Sequence, residues 1–288
     1  MELSASVRRA INRYDPVKTE GLTLAPILMG EYESFLKASP AISFLPRSLP
    51  LKYLSEPLLA AFYRMEYDAL EAGQESPGLF YRCVLFLALA LRLGEGETEV
   101  ERMKRFQVRV DPSDPAKLLS LEAGEEIRIT PIQFQRLRPI LAAQNGVDLP
   151  SDDANPELVE AERDIAAQRG PKLDISAEGM ISSVAALTGT EEREIDQWPV
   201  LKFNRRKDAI SRVLHFLVCG IGEASGAKFK GGNPYPSPFF DKVNDGSAAL
   251  VSLDSFAGGA GKQAVQQAGG AMPPAPINDF WKGVNRND

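Results

Sequence analysis

The sequence predicts a mainly α protein: a multi-helix bundle with a small antiparallel β-hairpin or three-stranded ribbon inserted in it, and a flexible C-terminal tail. Three observations predict this. Over most of the chain, apolar residues recur at three- and four-residue steps, the spacing that gathers them on one face of a helix. Between 105 and 130 the period changes to two, with Phe106, Val108 and Val110 alternating with Arg105, Gln107 and Arg109. After Lys242 the composition shifts to Gly, Ala, Gln and Pro, with too few branched apolar residues to bury the surface that ordering requires. The expected regions are an N-terminal helical part (1–102), a small β insertion (103–130), a C-terminal helical part (131–242) and a tail (243–288).

In chain order, residues 1–20 read as a short helix or a loosely held arm stopped at Asp15-Pro16. Leu22, Thr23 and Leu24 suit a short strand, and a helical pattern with Tyr32, Phe35 and Leu36 on one side follows. From Leu51 to Leu70 the apolar positions keep helical spacing, with a restart at Ser55-Glu56-Pro57, because proline suits a first helical turn. Ser76-Pro77 opens a near-continuous apolar helix, 77–93, that must be covered on most sides. Its stripe of Phe80, Tyr81 and Phe86 reads as packing. Residues 105–111 form one strand and 118–130 two more, turning around Glu122-Ala123-Gly124. Thr130-Pro131-Ile132-Gln133 spells a capping box with proline at the first helical position, so a helix starts there and stops near Asn145-Gly146. Pro139 kinks this helix or sits where its hydrogen bonding already fails.

Residues 156–170 read as a charged helix with a thin stripe at Leu158, Ile165 and Ala166. Ser176 begins the next helix, and Thr190 is the expected cap of the short acidic turn EEREIDQW, with Glu191 and Glu192 favourably placed in its dipole. Trp198-Pro199 marks a junction before the principal helix, 199–223. Phe203, Ile210, Val213, Leu214, Leu217 and Ile221 are its expected buried stripe, with Asn204, Asp208, Ser211, Arg212 and His215 on the opposite side.

Composition excludes several classes of function. The 288 residues are 44% hydrophobic, and 33 Lys and Arg against 39 Asp and Glu leave a net charge of −6, so a polyanion is not the expected partner. The basic cluster Asn204-Arg205-Arg206-Lys207-Asp208 reads as a solvated or partner-facing surface, with no nucleic acid as partner. The most apolar window, 79–93, is interrupted by Arg82 and falls short of the ~20 residues that cross a bilayer, which makes it a buried helix, with no membrane as partner. The N-terminus lacks the apolar core of a signal peptide, so the cytoplasm is the expected location. Cys83 and Cys219 lie in apolar helical runs and read as small hydrophobes.

No motif carries catalysis, a metal or a cofactor. Asp148, Asp152 and Asp153 lack the ordered ligand spacing of an EF-hand. The run Ala227–Asn233 departs from the phosphate-cradling loop, whose glycine and lysine spacing is longer. Glu191 and Glu192 have no specified acid-base partner, and His215, the one histidine, has no triad or metal companions in the sequence. What remains are aromatic residues suited to docking. Tyr235, Phe239 and Phe240 lie in a segment stiffened by prolines 234, 236 and 238, and must fold back on the helices or meet a partner. Phe280 and Trp281, with Ile277, form a short aromatic motif at the end of the Gly- and Pro-rich tail.

The order of LTLAPILMGEYESFL, EIRITPIQFQRLRPILAAQNGVDLP with NPELVEAERD, SSVAALTG…REIDQWPVLKFNRR and CGIGEASGAKFKGGNPYPSPFFDK, over about residues 22–242, resembles tail-morphogenesis proteins of tailed phages and prophages of Gram-positive bacteria. It is similar to products that stand in the place of tail assembly chaperones. The resemblance implies a non-enzymatic assembly factor acting in the host cytoplasm. Its implied partners are a tape-measure or tail-tube protein, with self-association as a further mode. The alternative it implies is a structural component of the virion.

Overall fold

A computed structural model of the chain describes residues 3–150, 176–226, 233–235 and 237–239. The helix expected at 156–170, the loop 227–232, Phe240, and the tail with Phe280 and Trp281 lie outside the described residues. The chain divides into two compact units, Met1–Asn204 and Arg205–Asp288.

In the first unit, α1 (Ala5–Arg13) starts where Ser4 Oγ accepts the Val7 N–H at 3.3 Å, and ends at Tyr14 in the left-handed region with φ 62°. A hairpin follows, β1 (Val17–Thr19) paired antiparallel with β2 (Leu22–Leu24). Its two-residue loop, Glu20-Gly21, has positive φ at both positions, 50° and 77°. That is the turn whose twist matches a two-stranded ribbon. The strand at 22–24 was legible, whereas β1 was not, because Glu20 is an unusual residue for such a turn. Glu20 is held from outside: its carbonyl accepts from Gln133 Nε2 at 3.1 Å and its carboxylate pairs with Arg136 at 3.5 Å.

Four helices build the main body: α2 (Tyr32–Ile42), α3 (Leu58–Glu71), α4 (Leu79–Ala90) and α5 (Glu99–Lys104). Helix α4 is shorter than the expected 77–93, starting after Gly78 in the left-handed region at φ 70°. All of its residues from Cys83 to Ala90 are buried. Helices α2 and α3 pack on it, with Phe35 against Phe86 at 6.0 Å between ring centroids. The expected aromatic packing stripe is partly covered: Phe86 is fully buried, Phe80 is half-buried against Tyr63, and Tyr81 is exposed.

The three-stranded antiparallel sheet runs β3 (Gln107–Asp111), β4 (Asp114–Ala123), β5 (Ile127–Ile129), in that spatial order. Strand β4 is central and buries Leu118, Ser120, Leu121 and Ala123, packing on α3. Strand β3 departs from the expected alternation. Phe106 is buried just before the strand, but Val108 is exposed, and the register shifts between Arg109 and Val110. An edge strand with a bulge loses the strict two-faced pattern.

Helix α6 (Pro131–Asn145) has the full capping box: Thr130 Oγ1 accepts the Gln133 N–H, and Gln133 Oε1 accepts the Thr130 N–H. It contains Pro139 and ends at Gly146 in the left-handed region, where an added Cβ would come within 3.2 Å of Leu201 Cδ1. Its last turn carries two buried amides that fasten the N-terminal segment. Asn145 Oδ1 accepts the Ile27 N–H at 2.8 Å, and Gln144 Nε2 donates to the Leu24 carbonyl at 3.0 Å. Residues 25–30, extended up to a 3₁₀ turn that begins at Met29, are also tied to α4 and to a segment much later in the chain. Ala25 N–H donates to Ala90, Met29 to Trp198 and Gly30 to Asp196, while Val200 N–H donates to Ile27.

The remaining helices are α7 (Ala177–Thr188), α8 (Glu192–Ile195) and α9 (Val200–Ala224). Ser176 caps α7 as expected, accepting the Gly179 N–H at 3.0 Å. Thr190 does not cap α8. Glu191 takes the N-cap position without a side-chain bond, and the Thr190 N–H instead closes the end of α7 on the Ala185 carbonyl at 3.2 Å. The division between the units falls inside α9, after Asn204. Among the described residues no helix is long and apolar enough to cross a membrane.

Candidate functional site: the outer face of helix α9

Phe203 is buried and Asp208 exposed as expected, but from Ser211 onward α9 presents the reverse of the expected pattern. Val213, Leu214, Leu217 and Ile221 were expected to be buried, yet they are 42%, 45%, 49% and 67% exposed, and Val218 is exposed beside them. The opposite side is the covered one. Cys219 and Gly222 are buried, and Ser211, Arg212, His215 and Phe216 are half-buried. The sequence misled because α9 carries apolar residues on both sides. Phe216 and Cys219 compete with the stripe for the interior, and periodicity cannot say which side wins.

The residues after the helix fold back on its covered side. Tyr235 stacks on His215 with ring centroids 4.7 Å apart and planes 13° from parallel, and Ser211 Oγ lies 3.3 Å from His215 Nδ1. Asn233 Nδ2 donates to Glu223 Oε2 at 2.9 Å, while its Oδ1 accepts the Tyr235 N–H at 2.8 Å, the local turn that a short amide side chain favours. Ser237 makes a similar turn, accepting the Phe239 N–H at 3.2 Å. The docking aromatics are therefore split. Tyr235 is used to hold the loop on the helix, whereas Phe239 is 85% exposed. Phe240, Phe280 and Trp281 lie outside the described residues. Burial pushes the Cys219 thiol above its ordinary range, as expected for a small hydrophobe.

The first unit has a polar cleft of about 550 Å³, lined in part by Glu31, Ser34, Arg92, Glu97, Glu99 and Arg102. Sequence reasoning did not find it, since its polar residues come from separate segments of the chain. The one local signal is the Thr98-x-x-Glu101 capping box that starts α5. Most ionic groups in and beside the cleft are paired, although the buried Nη1 of Arg102 has no hydrogen-bond partner among the described residues. Arg102, itself buried, meets Glu31; Arg105 meets Glu97; and Lys37 meets Glu99 at 2.9 Å, with Ser34 Oγ also donating to Glu99 at 2.7 Å. Lys37 and Ser34 hold the Glu99 carboxyl below its usual range, and Arg105 does the same for Glu97. Carboxylates so held are ionised at neutral pH, which suits fastening rather than delivering a proton: Glu99 ties α5 to α2, and Glu97 ties the two ends of α5 together. Among the described residues, no group of three His, Cys, Asp or Glu is placed to hold a metal ion.

No family model matches the chain, and neither a curated protein nor a solved structure matches it. The outer face of α9 is thus read from its own chemistry. It is about two and a half turns of aliphatic surface, with no titrating group among its apolar members. Such a surface can bind another apolar surface and exclude water from it.

Proposed function

We propose that this protein is a non-enzymatic assembly factor that covers an apolar surface of another protein, in the manner of a tail assembly chaperone acting on a tape-measure or tail-tube protein. The exposed aliphatic face of α9, from Val213 to Ile221, carries the reading. Isolated exposed leucines are ordinary, but a contiguous stripe along one helix marks an interaction surface. Phe239, exposed in the segment after the helix, offers a second apolar contact for a partner. The order of segments that resembles tail-morphogenesis proteins supplies the partner class.

The test is co-expression of the full chain with candidate tail proteins, reading both their solubility and their retention on the tagged chain. Retention and solubility that fall together when Leu214 and Leu217 are changed to Ser support the reading. Retention unaffected by these changes and by Phe239→Ala overturns it. Mass spectrometry of finished particles separates the two roles: a chaperone is absent from them, whereas a structural component of the virion is present.

A further inference from the structure

We infer that the outer face of α9 pairs with the same face of a second copy of this chain, antiparallel, so that the free protein masks its own apolar stripe. In a seven-residue repeat with Ile210 and Leu217 at the first position (a), Val213 and Gly220 fall at the fourth (d), and Leu214 and Ile221 at the fifth (e). These are the seam positions of a helix pair; Val213, Leu214, Leu217 and Ile221 are exposed and Ile210 and Gly220 half-buried, while Cys219 and Gly222 on the far side are buried and His215 is stacked under Tyr235. From Arg205 to Ala224 the helix gives a rod of about 30 Å, long enough for such a seam.

Shape and charge both select the antiparallel arrangement. Antiparallel seams layer an a position of one helix on a d position of the other. Val213 then meets Leu217 of the second copy, and Ile210 meets Gly220 of the second copy. A Cβ added at Gly220 would touch nothing within 4 Å, so the glycine leaves a hole for the Ile210 side chain. The same register brings Arg206, exposed near the start of the seam, toward Glu223 of the second copy, which is exposed at the edge of the seam next to the covering loop. Glu223 already accepts Asn233 Nδ2 on one oxygen, and a carboxylate has acceptor sites for further donors. Two such Arg206–Glu223 pairs form by symmetry. A parallel pairing would set Arg206 against Arg206 and Glu223 against Glu223, and would align the helix dipoles unfavourably. The occupant that matches this face end for end is therefore a second copy.

The consequence for partner capture rests on the proposed function; the pairing itself does not. A small seam of this kind gives a transient, concentration-dependent dimer. A tail protein would compete for the same residues.

Sedimentation equilibrium of the full chain tests the pairing, with circular dichroism as the check on folding. The wild type is expected to be a concentration-dependent dimer, Leu217→Glu a monomer with unchanged helix signal, and Arg206→Glu about tenfold weaker. The double variant Arg206→Glu with Glu223→Arg is expected to recover to within about threefold of wild type, because the swapped charges meet again across the antiparallel seam. A chain that stays monomeric throughout, or a double variant as weak as the single one, overturns the pairing. Failure here with partner capture intact leaves the proposed function standing. Pairing intact with no capture of any tail protein leaves this inference standing without it.

Discussion

From Cys83 to Ala90, α4 places every residue inside the protein, while α9 between Val213 and Ile221 leaves four aliphatic side chains 42–67% exposed. Their local composition is similar: Leu, Val and Phe dominate both, each has one cysteine, and neither stretch has an acidic residue. The difference is in what surrounds them. Helix α4 is packed by α2, α3 and α5, and Phe35 reaches Phe86 directly. On α9 the covering segment, with Tyr235 stacked on His215, takes the other side of the helix. An apolar run therefore states a demand for cover. It does not state who supplies it.

The comparison breaks most visibly by truncating equivalent side chains. Phe86→Ala is expected to cost about 3–5 kcal/mol in urea denaturation, since the ring is fully buried and its cavity cannot close. A loss below about 1 kcal/mol would mean that α4 is not the centre of the body. Next in size is Asn145→Ala, which leaves the buried Ile27 N–H without its acceptor and is expected to cost about 1–3 kcal/mol. Amide exchange at Ile27 should then accelerate more than exchange in α3.

A smaller effect depends on pH. Lys37 and Ser34 depress the Glu99 carboxyl, so the folded state binds its proton less readily than the unfolded chain does. Its contribution is present above the usual glutamate range and is lost as pH falls through the depressed value. Glu99→Gln should therefore lower stability at neutral pH and reduce the loss on acidification. Equal stability curves for variant and wild type from pH 7 to about 3 would count against this pairing. The smallest effect is expected on the outer face of α9. Leu217→Ala should change unfolding stability by no more than about 0.5 kcal/mol, the range of surface substitutions, while weakening self-association. A destabilisation comparable to that of Phe86→Ala would show that this face is buried after all.

Much of the fold was legible where short-range chemistry is decisive. The Thr130 capping box, the Ser176 cap and the glycine stop at 146 all depend on residues within a few positions of one another, and the three strands between 107 and 129 were legible from their period, although β4 begins at Asp114 rather than 118 and turns to β5 only after Ala123. The candidate site was legible only in its ingredients. Tyr235 and Phe239 were marked as docking aromatics, but nothing local distinguishes the ring that stacks on His215 from the ring that faces solvent. The Glu31–Arg102 pair spans α5 and the turn before α2, and no sequence pattern signals it.

By itself, then, the sequence determined several helix starts and stops and the place of the three-stranded sheet, because caps, turns and period are set by neighbours along the chain. The tertiary structure decided which faces those elements bury. It ran residues 25–30 between α4, the end of α6 and residues 196–200, and it covered α9 on the side of Cys219 and Gly222. The physical reason is that burial belongs to pairs of surfaces. A helix with apolar residues on both sides can satisfy either pairing, and only the segments that meet it in space determine which face is left for a partner.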